Sequence, residues 1–329
     1  MLPIKEPETR ILKVRRHTHL PFQCTVEGMS DYSAFLSVDR FAIFLFHGVI
    51  QKQRHEIRNY TRKHLPAADF ITILRNLRAH GVPISMSEVV EANRNGTQLP
   101  KRAFSVTFDD GFENNYSMAA PILDDLEIPA TFYVTTDFVD SNRASWIDRI
   151  EYAIERTKRV NLKLHLSGVQ GTYDTLEKKI RLLEDIRRMI KNDPQVDPYE
   201  FAADVCHQLG VNGFEPDPDL DQKMNWRQVR KLSENRLFKI GGHGHTHRIL
   251  EYLSPGELEW EVATSLNTLR NHLEKCVEQY SYPEGAPDCY SDRVIHVLEQ
   301  HGILCAPSAE HGTNRIDDDL FRLKRISVT

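Results

Sequence analysis

Two short motifs contain residue types that can hold a metal ion and activate a water molecule. The motif TFDDG places the carboxylates of Asp109 and Asp110 next to each other. Far downstream, GGHGHTH places two imidazoles, His243 and His247, four residues apart. Imidazoles and carboxylates are ligands of Zn²⁺ and related ions, and a carboxylate left free can take a proton from a water molecule. The two motifs together predict metal-assisted hydrolysis.

The residues before the two carboxylates place them at the end of a strand. Residues 104–108 are β-branched or aromatic with a loose alternation, which is typical of a strand, and Gly111 follows. Successive side chains of a regular strand point to opposite faces, so Asp109 and Asp110 share one site only if the strand ends there. Two carboxylates this close repel each other, and we expect a bound cation to relieve that repulsion.

The histidine motif also follows an apolar run, residues 237–240. Residues four apart share a face on a helical turn, so we expect His243 and His247 to bind one ion while His245 points elsewhere. His245 is open as a third ligand, as a residue that supports the ligands, or as a bystander. A single histidine in a loop is usually only a solvated side chain, so the combination with two adjacent carboxylates is what favours ligation here.

Both motifs resemble those of the polysaccharide deacetylases, the NodB-like group also called family 4 carbohydrate esterases. The similarity runs from about residue 41 to the C-terminus, apart from an insertion at about 150–222. The resemblance implies that Asp109 is the general base and that Asp110, His243 and His247 bind a divalent metal. It also implies an N-acetylated carbohydrate as substrate. With two imidazoles and one carboxylate, Zn²⁺ is the preferred ion, and Co²⁺, Ni²⁺ and Fe²⁺ are alternatives.

The sequence departs from the family at a third motif, which usually reads Arg-x-Pro-aromatic. Here the run is SYPEG, so Ser281 stands at the arginine position and Glu284 at the aromatic one. The resemblance implies that Tyr282, Pro283 and Glu284 lie at the substrate, with a backbone amide near Glu284 binding the oxyanion. A tight turn after a strand would explain the proline and glycine equally well. With no arginine at position 281, another group must orient the base.

The general acid has no clear match. The family carries it in a Leu-x-His motif, and the run LKR at residues 323–325 falls roughly where that motif would lie. His47, which follows an apolar run, and His311 are the nearest substitutes, and His245 is a further candidate. Each of these histidines could equally be a turn residue.

Short apolar runs alternate with helical patterns along most of the chain, which predicts an α/β fold with parallel strands: a distorted (β/α) barrel resembling a TIM barrel. Both metal motifs fall just after predicted strands, at the end where such barrels carry their chemistry. We predict an N-terminal extension at residues 1–40 and a barrel at 41–329 with a helical insertion at about 150–222. The predicted elements are strands at 41–46, 104–108, 130–135, 237–240, 278–282, 303–306 and 321–328, and helices at 67–80, 115–126, 175–191, 255–273 and 291–301.

Composition excludes some functions. The net charge of −5 with mixed signs argues against a nucleic-acid partner, which would require a concentrated basic face. No run of about 20 apolar residues is present, and the first residues are polar, so we expect no transmembrane segment and a cytoplasmic location. Five cysteines without paired spacing fit a reducing compartment. Residues 1–40 are a candidate for wrapping the barrel or for assembly into a homo-oligomer.

The function predicted from these features is removal of an N-acetyl group from an amino sugar in a glycan, a lipid-linked sugar or a nucleotide sugar. Two alternatives remain open at the level of the sequence. A non-catalytic descendant that binds metal and glycan would explain Ser281 and the missing acid. Two histidines and one carboxylate also form the triad of non-haem iron enzymes, although those enzymes use no neighbouring carboxylate as a base.

Overall fold

The structure is a computed structural model that describes residues 31–163 and 170–329. Eleven β-strands lie in these ranges. Of the predicted N-terminal extension, residues 1–30 lie outside the described residues. The strands in the described ranges are β1 Ala42–Phe46, β2 Gly48–Ile50, β3 His64–Pro66, β4 Val82–Pro83, β5 Ala103–Phe108, β6 Ala130–Val134, β7 Val160–Lys163, β8 Gln170–Tyr173, β9 Phe238–Gly242, β10 Pro307–His311 and β11 Leu323–Ser327.

The main sheet is parallel, with the strand order β10-β11-β1-β5-β6-β9 and β4 paired to β5. The predicted α/β fold is therefore confirmed. Among the described residues the regular strands do not close into a complete barrel. Instead, two isolated parallel bridges, Gly242 to Tyr280 and Gln279 to Cys305, lie between the strands at the two ends of the sheet. The predicted strand at 278–282 is thus reduced to these bridges, and the strand predicted at 303–306 begins later, at Pro307.

Ten α-helices lie in the described ranges, and several of them follow the predicted boundaries. Helix α9 begins where predicted because Ser254 and Glu257 form a capping box around Pro255. The predicted helix at 115–126 divides into a π-helical turn, Asn115–Ala119, and α3. The helices are α1 Ala67–His80, α2 Met86–Asn95, α3 Ala120–Asp125, α4 Thr136–Ser141, α5 Trp146–Arg156, α6 Leu176–Asn192, α7 Pro198–Gln208, α8 Trp226–Glu234, α9 Pro255–Leu273 and α10 Asp292–Gln300.

An aromatic row anchors the strands that carry the site. Phe46, Phe108 and Phe132 come from three adjacent strands and stack at centroid distances of 5.4 and 5.1 Å, and Phe70 of α1 packs edge-on against the first two. All four are buried. Burial of each ring contributes about 1.5–3 kcal/mol, and each aromatic pair adds roughly 0.5–1.5 kcal/mol. These rings therefore hold the ends of β1, β5 and β6 in place against helix α1.

The insertion has a hydrophobic core of its own. Helices α5, α6 and α7 and the antiparallel hairpin β7-β8 enclose a cluster that includes Ile150, Leu182, Ile186 and Ala202. Helix α6 matches the predicted helix to within one residue at each end, and most of its charged side chains are at least partly exposed. Residues 164–169 of the insertion lie outside the described residues.

None of the described helices combines the length and the hydropathy needed to cross a bilayer. The four cysteines in the described ranges are free thiols: Cys206, Cys276, Cys289 and Cys305.

Candidate active site

The ends of strands β1 and β5 place His47 and Asp109 on neighbouring strands. The strands pair in parallel, and the Asp109 N–H donates to the Phe46 carbonyl O at 3.1 Å. The chain then turns sharply, since Asp110 has a φ of 76°. This left-handed conformation is uncommon for a residue other than glycine, and it ends the strand alternation. Both carboxylates consequently face His243, whose Nε2 lies 3.9 Å from Asp109 Oδ2 and 3.5 Å from Asp110 Oδ1.

Strand β9 can place His243 at the site because its last two residues, Gly241 and Gly242, are glycines. A Cβ on Gly241 would lie 2.5 Å from the ring of Tyr133, and one on Gly242 would lie 2.6 Å from the ring of Tyr280. Contacts this short do not occur for real Cβ atoms, so only glycine lets β9 lie this close to both rings. The close packing of β9 against Tyr133 and Tyr280 therefore explains the two adjacent glycines in the sequence.

The segment from His243 to His247 is an irregular turn, and the helical turn expected for the two histidines is wrong. His247 has a φ of 61°, which no α-helical residue adopts. The buried carboxylate of Glu261 holds the turn, accepting the N–H groups of His245 and Thr246 at 2.8 and 2.6 Å and the Thr246 hydroxyl at 2.9 Å. These hydrogen bonds hold the turn in place of the backbone hydrogen bonds of a helix. The imidazoles of His243 and His247 therefore still point towards the same place.

Asp110, His243 and His247 form a cluster that fits a divalent metal. One ligand atom from each lies within 4.8 Å of the others, and His247 Nε2 is 3.1 Å from Asp110 Oδ1. The Nδ1–H of His243 donates to the Ser281 carbonyl O at 2.8 Å. Because a carbonyl only accepts, this bond leaves the lone pair of His243 on Nε2, towards Asp110, as in histidine ligands held by a backbone partner. Two imidazoles and a carboxylate suit Zn²⁺ and its neighbours.

The electrostatics of this cluster favour a positive charge beside Asp110. Burial opposes ionisation of Asp110, but its interactions with His243 and His247 outweigh it and hold the pKa of the carboxyl well below its usual range. Burial likewise opposes protonation of His247, yet the bond to Asp110 raises the pKa of that imidazole. The site therefore stabilises a cationic partner for Asp110, which a metal ion would be.

Arg325 holds Asp109 in place. Its two terminal nitrogens donate to the two carboxylate oxygens at 2.9 and 2.8 Å, and its Nε donates to the Ser308 carbonyl O at 2.6 Å. Arg325 is fully buried. Burial opposes the charge on Asp109, but the guanidinium outweighs it and lowers the pKa of the carboxyl. Asp109 is thus ionised and fixed by a bidentate pair, as a base that must accept a proton requires.

Ser281 and Arg325 together account for the departure at the third motif. The Ser281 hydroxyl donates to Asp109 Oδ2 at 3.3 Å and accepts from Arg325 Nη2 at 2.9 Å. The small side chain at position 281 leaves room beside Asp109, and the guanidinium from strand β11 occupies it. The orienting arginine is therefore present at another position in the chain.

The three histidines considered for the general acid lie in different places. His47 interacts electrostatically with both carboxylates, which raise its pKa, whereas burial, the largest effect, lowers it to about 4. His245 is turned away from the ligands: its Nδ1 is 2.8 Å from the Thr136 hydroxyl and its ring packs against Trp260. His311 is exposed, and its ring packs edge-on against Phe35. Of these three histidines, His47 is the one for which an electrostatic interaction with Asp109 is found.

The SYPEG segment forms another edge of the site. Tyr282 is buried away from it, donating its hydroxyl to the Phe321 carbonyl O and stacking on Tyr290. Pro283 lies against Gly244, and Glu284 has a φ of 62°. In the described part of the chain the Glu284 N–H has no acceptor, which leaves it free to donate to an oxyanion.

Sequence patterns did not reveal three residues that organise this site. Arg325, Glu261 and Lys191, which pairs with Glu284 at 2.5 Å, are all distant in sequence from the groups they hold. The run at 323–325 was the one available signal for Arg325, since it occupies the place of a family motif. Glu261 lies inside a regular helix and carries no local signal.

Known proteins of similar structure share this fold. The deacetylase PplD of Streptococcus pyogenes, determined in complex with acetate, has 15% identity and a TM-score of 0.57, covering 88% of this chain and 92% of its own. IcaB from Ammonifex degensii has 16% identity and a TM-score of 0.56, with coverages of 89% and 94%. The BpsB deacetylase domain of Bordetella bronchiseptica has 17% identity and a TM-score of 0.55, with coverages of 89% and 97%. At these identities the likeness shows the fold alone.

Sequence comparison gives the family. A poly-β-1,6-N-acetyl-D-glucosamine N-deacetylase of Escherichia coli strain K12 is 38% identical over 66 residues, which is 20% of this chain and only 10% of that protein. The family model described as polysaccharide deacetylase matches residues 96–195 and 206–306, which is more than half of the chain and includes Asp109, Asp110, His243 and His247. The chain belongs to the polysaccharide deacetylase family.

Proposed function

We propose that this protein is a metal-dependent hydrolase that removes the N-acetyl group from an amino sugar in a glycan. One observation carries the proposal: three ligand atoms of Asp110, His243 and His247 lie within 4.8 Å of one another beside an ionised Asp109 that Arg325 holds. Such a site contains both a place for a metal and a base next to it. The short match to a poly-β-1,6-N-acetyl-D-glucosamine N-deacetylase supports N-acetylglucosamine polymers as the first substrates to test.

The residues fit a divalent ion, with Zn²⁺ as the preferred one. Asp110, His243 and His247 would hold it, and the carbonyl partner of His243 sets the tautomer that ligation needs. When bound, such an ion supplies Lewis-acid activation of a water molecule and of the acetyl carbonyl.

The chain's own residues account for the movement of protons. Asp109 takes the proton of the attacking water, and Arg325 keeps its two oxygens in a fixed orientation. The free N–H of Glu284 donates to the oxyanion as it forms. His47 is the group placed to protonate the leaving amine. Burial lowers the pKa of His47 to about 4, so it is neutral in the free protein at pH 7. The proton that it passes to the amine is therefore the one that Asp109 takes from the water.

The structure weakens the alternative of a non-catalytic descendant. That reading depended on a missing arginine and a missing acid. Arg325 supplies the arginine, and both carboxylates interact electrostatically with His47. No residue of the described site specifically favours the non-haem iron alternative. Placement in the cytoplasm stays a prediction from the sequence.

The proposal is tested by measuring bound metal and acetate release from N-acetylglucosamine oligomers for the parent and for Asp109→Asn. We expect the variant to keep its metal, because Asp109 is outside the ligand cluster, and to lose roughly 10²–10⁴-fold in kcat, the usual contribution of a general base. Asp125→Asn, on the surface of α3, is the matched control and should behave like the parent. Full activity in Asp109→Asn would contradict the assigned base, and no acetate release by the metal-loaded parent would contradict the function.

A further inference from the structure

Two buried lysine side chains share a single carboxylate near the metal ligands. Lys63 Nζ lies 2.8 Å from Asp148 Oδ1, and Lys223 Nζ lies 3.6 Å from Asp148 Oδ2. The side chain of Lys223 is fully buried and that of Lys63 is mostly buried. We call these three residues the two-lysine cluster. Two ammonium groups and one carboxylate leave the cluster with a formal charge of +1 when all three are ionised.

All three groups are mainly ionised at neutral pH. Burial opposes the charge on Asp148, but the two ammonium groups outweigh it and hold the pKa of the carboxyl well below its usual range. Burial also opposes the charge on Lys63, yet nearby carboxylates, Asp148 first among them, raise the pKa of that amine. For Lys223 burial is the larger effect and lowers the pKa to about 8, so the amine is mostly protonated at pH 7.

Two aromatic rings connect Lys223 to the metal ligands. Lys223 Nζ lies 3.5 Å from the centre of the Phe112 ring and 5.2 Å from the centre of the Phe138 ring. Phe112 is two residues after Asp110, and Phe138 stacks on the imidazole of His247 at a centroid distance of 5.8 Å. The face of an aromatic ring attracts a cation, which offsets part of the cost of burying it. Each ring that holds the ammonium thus also adjoins a ligand.

Backbone contacts fix the segment that carries Lys223. Phe112 and Lys223 form an isolated antiparallel bridge, and the Met224 N–H donates to the Gly111 carbonyl O at 2.9 Å. The Lys223 N–H donates to the side-chain oxygen of Asn142 at 2.9 Å. The ammonium therefore has a defined position relative to the turn that carries both carboxylates of the site.

The charge of the cluster adds to that of a loaded metal site. With neutral imidazoles, as ligation requires, Asp109 and Asp110 give −2 and Arg325 gives +1, while Glu284 and Lys191 cancel. A divalent ion changes the sum from −1 to +1, and the cluster adds a further +1. Both lysines of the cluster interact electrostatically with Asp110. Because buried charges are weakly screened, the cluster opposes the binding of a dication.

We propose that the two-lysine cluster tunes the metal site through its charge. Its ammonium groups weaken the hold of the three ligands on a divalent ion and, by the same repulsion, make that ion a stronger Lewis acid. The inference rests on the proposed function and assigns a role to residues that belong to neither metal motif.

The first test is Lys223→Met, which removes the ammonium and keeps most of the side-chain volume. We expect Zn²⁺ to bind about tenfold more tightly in this variant, and kcat at saturating Zn²⁺ to fall several-fold, because the ion is then a weaker Lewis acid. Zn²⁺ titration against a competing chelator measures the affinity, with His243→Ala as the reference for binding elsewhere, and acetate release from N-acetylglucosamine oligomers measures kcat. A merely structural role predicts the opposite sign, since a site that loses its support binds Zn²⁺ less tightly.

Lys179→Met is the matched control. Lys179 is also a buried lysine, but it donates to the Thr157 carbonyl O at the end of α5, at 2.6 Å. This variant should keep the parent's Zn²⁺ affinity and kcat. Lys63→Met should change both quantities in the same direction as Lys223→Met, and it decides the inference if Lys223→Met does not fold.

The outcomes separate this inference from the proposed function. A Zn²⁺ affinity that is unchanged or weaker in folded Lys223→Met, or a kcat equal to the parent's, would overturn the inference while acetate release still supports the function. If the Zn²⁺-loaded parent releases no acetate, the function fails and the affinities alone decide the inference: tighter binding supports it, and equal binding overturns it. A parent that binds no more Zn²⁺ than His243→Ala would overturn both.

Discussion

The two halves of the candidate site are built in different ways. The metal half, Asp110, His243 and His247, comes from two compact motifs, each of which directly follows a strand. The base half joins Asp109 to Ser281 and Arg325, which lie 172 and 216 positions further along the chain. Local motifs thus define the candidate metal site, whereas the sheet topology alone defines what orients the proposed base.

We therefore expect the metal half and the base half to differ in how well they tolerate substitutions. A ligand has to present one atom at one place, so its identity and position are constrained together. A group that orients a carboxylate has only to bring donors to it, and Ser281 and Arg325 show that those donors can come from another strand. The following variants test how far the contrast extends.

The largest effect is expected for His243→Ala. Removal of one of three ligands should abolish metal binding, and acetate release should fall by at least the roughly 10²–10⁴-fold that loss of a general base costs. Metal content by mass spectrometry and acetate release by a coupled assay measure both. His245→Ala is the matched control from the same motif, because His245 contacts Thr136 and Trp260 outside the cluster. Retention of about one ion per chain by His243→Ala would exclude it as a ligand.

Arg325→Met should reduce kcat by about 10²-fold, because a carboxylate that loses its orientation loses catalytic alignment. It should also lower the free energy of unfolding by roughly 3–5 kcal/mol, since Asp109 is left as a buried charge without its partner. Arg325→Lys keeps the charge but not the two-pronged geometry, so it should be more stable than the methionine variant and still slow. Metal content should stay that of the parent in both variants. A lysine variant with the parent's kcat would reduce Arg325 to a structural ion pair.

The double variant Ser281→Arg with Arg325→Ser restores the arrangement that the family motif implies. We expect it to recover part of the kcat that Arg325→Ser alone loses, roughly tenfold, because a guanidinium at position 281 can again reach Asp109. The comparison requires three proteins, the two single variants and the double variant, assayed at equal metal content. If the double variant folds but is no more active than Arg325→Ser, the position in the chain that supplies the guanidinium matters. The base half would then tolerate as little change as the metal half.

The same contrast explains how much the sequence could predict. Helices α1 and α9, the strand before Asp109 and the four residues of the metal and base motifs depend on short-range signals such as capping, alternation and residue spacing, and these were read from the sequence. The partners of Asp109 depend on strands β5 and β11 lying on either side of β1, which no local pattern encodes. The turn at His247 was misread as helical because Glu261, which holds it, is contributed by another element.

The strand predicted at residues 278–282 does not form as a regular strand. Residues 278–282 have the composition of a strand, but they contribute only isolated bridges between β9 and Cys305. Pro283, which has no N–H, and the left-handed Glu284 end the run immediately afterwards. A strand propensity that lasts for a few residues is therefore not enough when the turn that follows has a left-handed conformation.

The smallest expected effect concerns the ion pair between Lys191 and Glu284, which connects the insertion to the site. Burial favours the neutral form of Glu284, but Lys191 and His247 outweigh it and lower the pKa of this carboxyl to about 2. The unfolded chain therefore binds this proton at a higher pH than the folded protein does, so the stabilisation is present above about pH 4.5 and is lost as the pH falls towards 2. Urea denaturation from pH 6 to pH 3 should show Glu284→Gln less stable than the parent by at most about 1 kcal/mol, with the difference shrinking in acid.

Glu215→Gln is the matched control for that experiment, because Glu215 also pairs with a cation, Arg156, but at a highly exposed position. Its effect on the free energy of unfolding should be near zero at every pH. If the difference between the parent and Glu284→Gln were constant down to pH 3, Glu284 would not be ionised by its partners in the folded state. The insertion would then be held at the site by three other contacts: the hydrogen bond from the Tyr199 hydroxyl to the Thr246 carbonyl O, the one from the Tyr252 hydroxyl to the Lys191 carbonyl O, and the ion pair of Arg248 with Asp197.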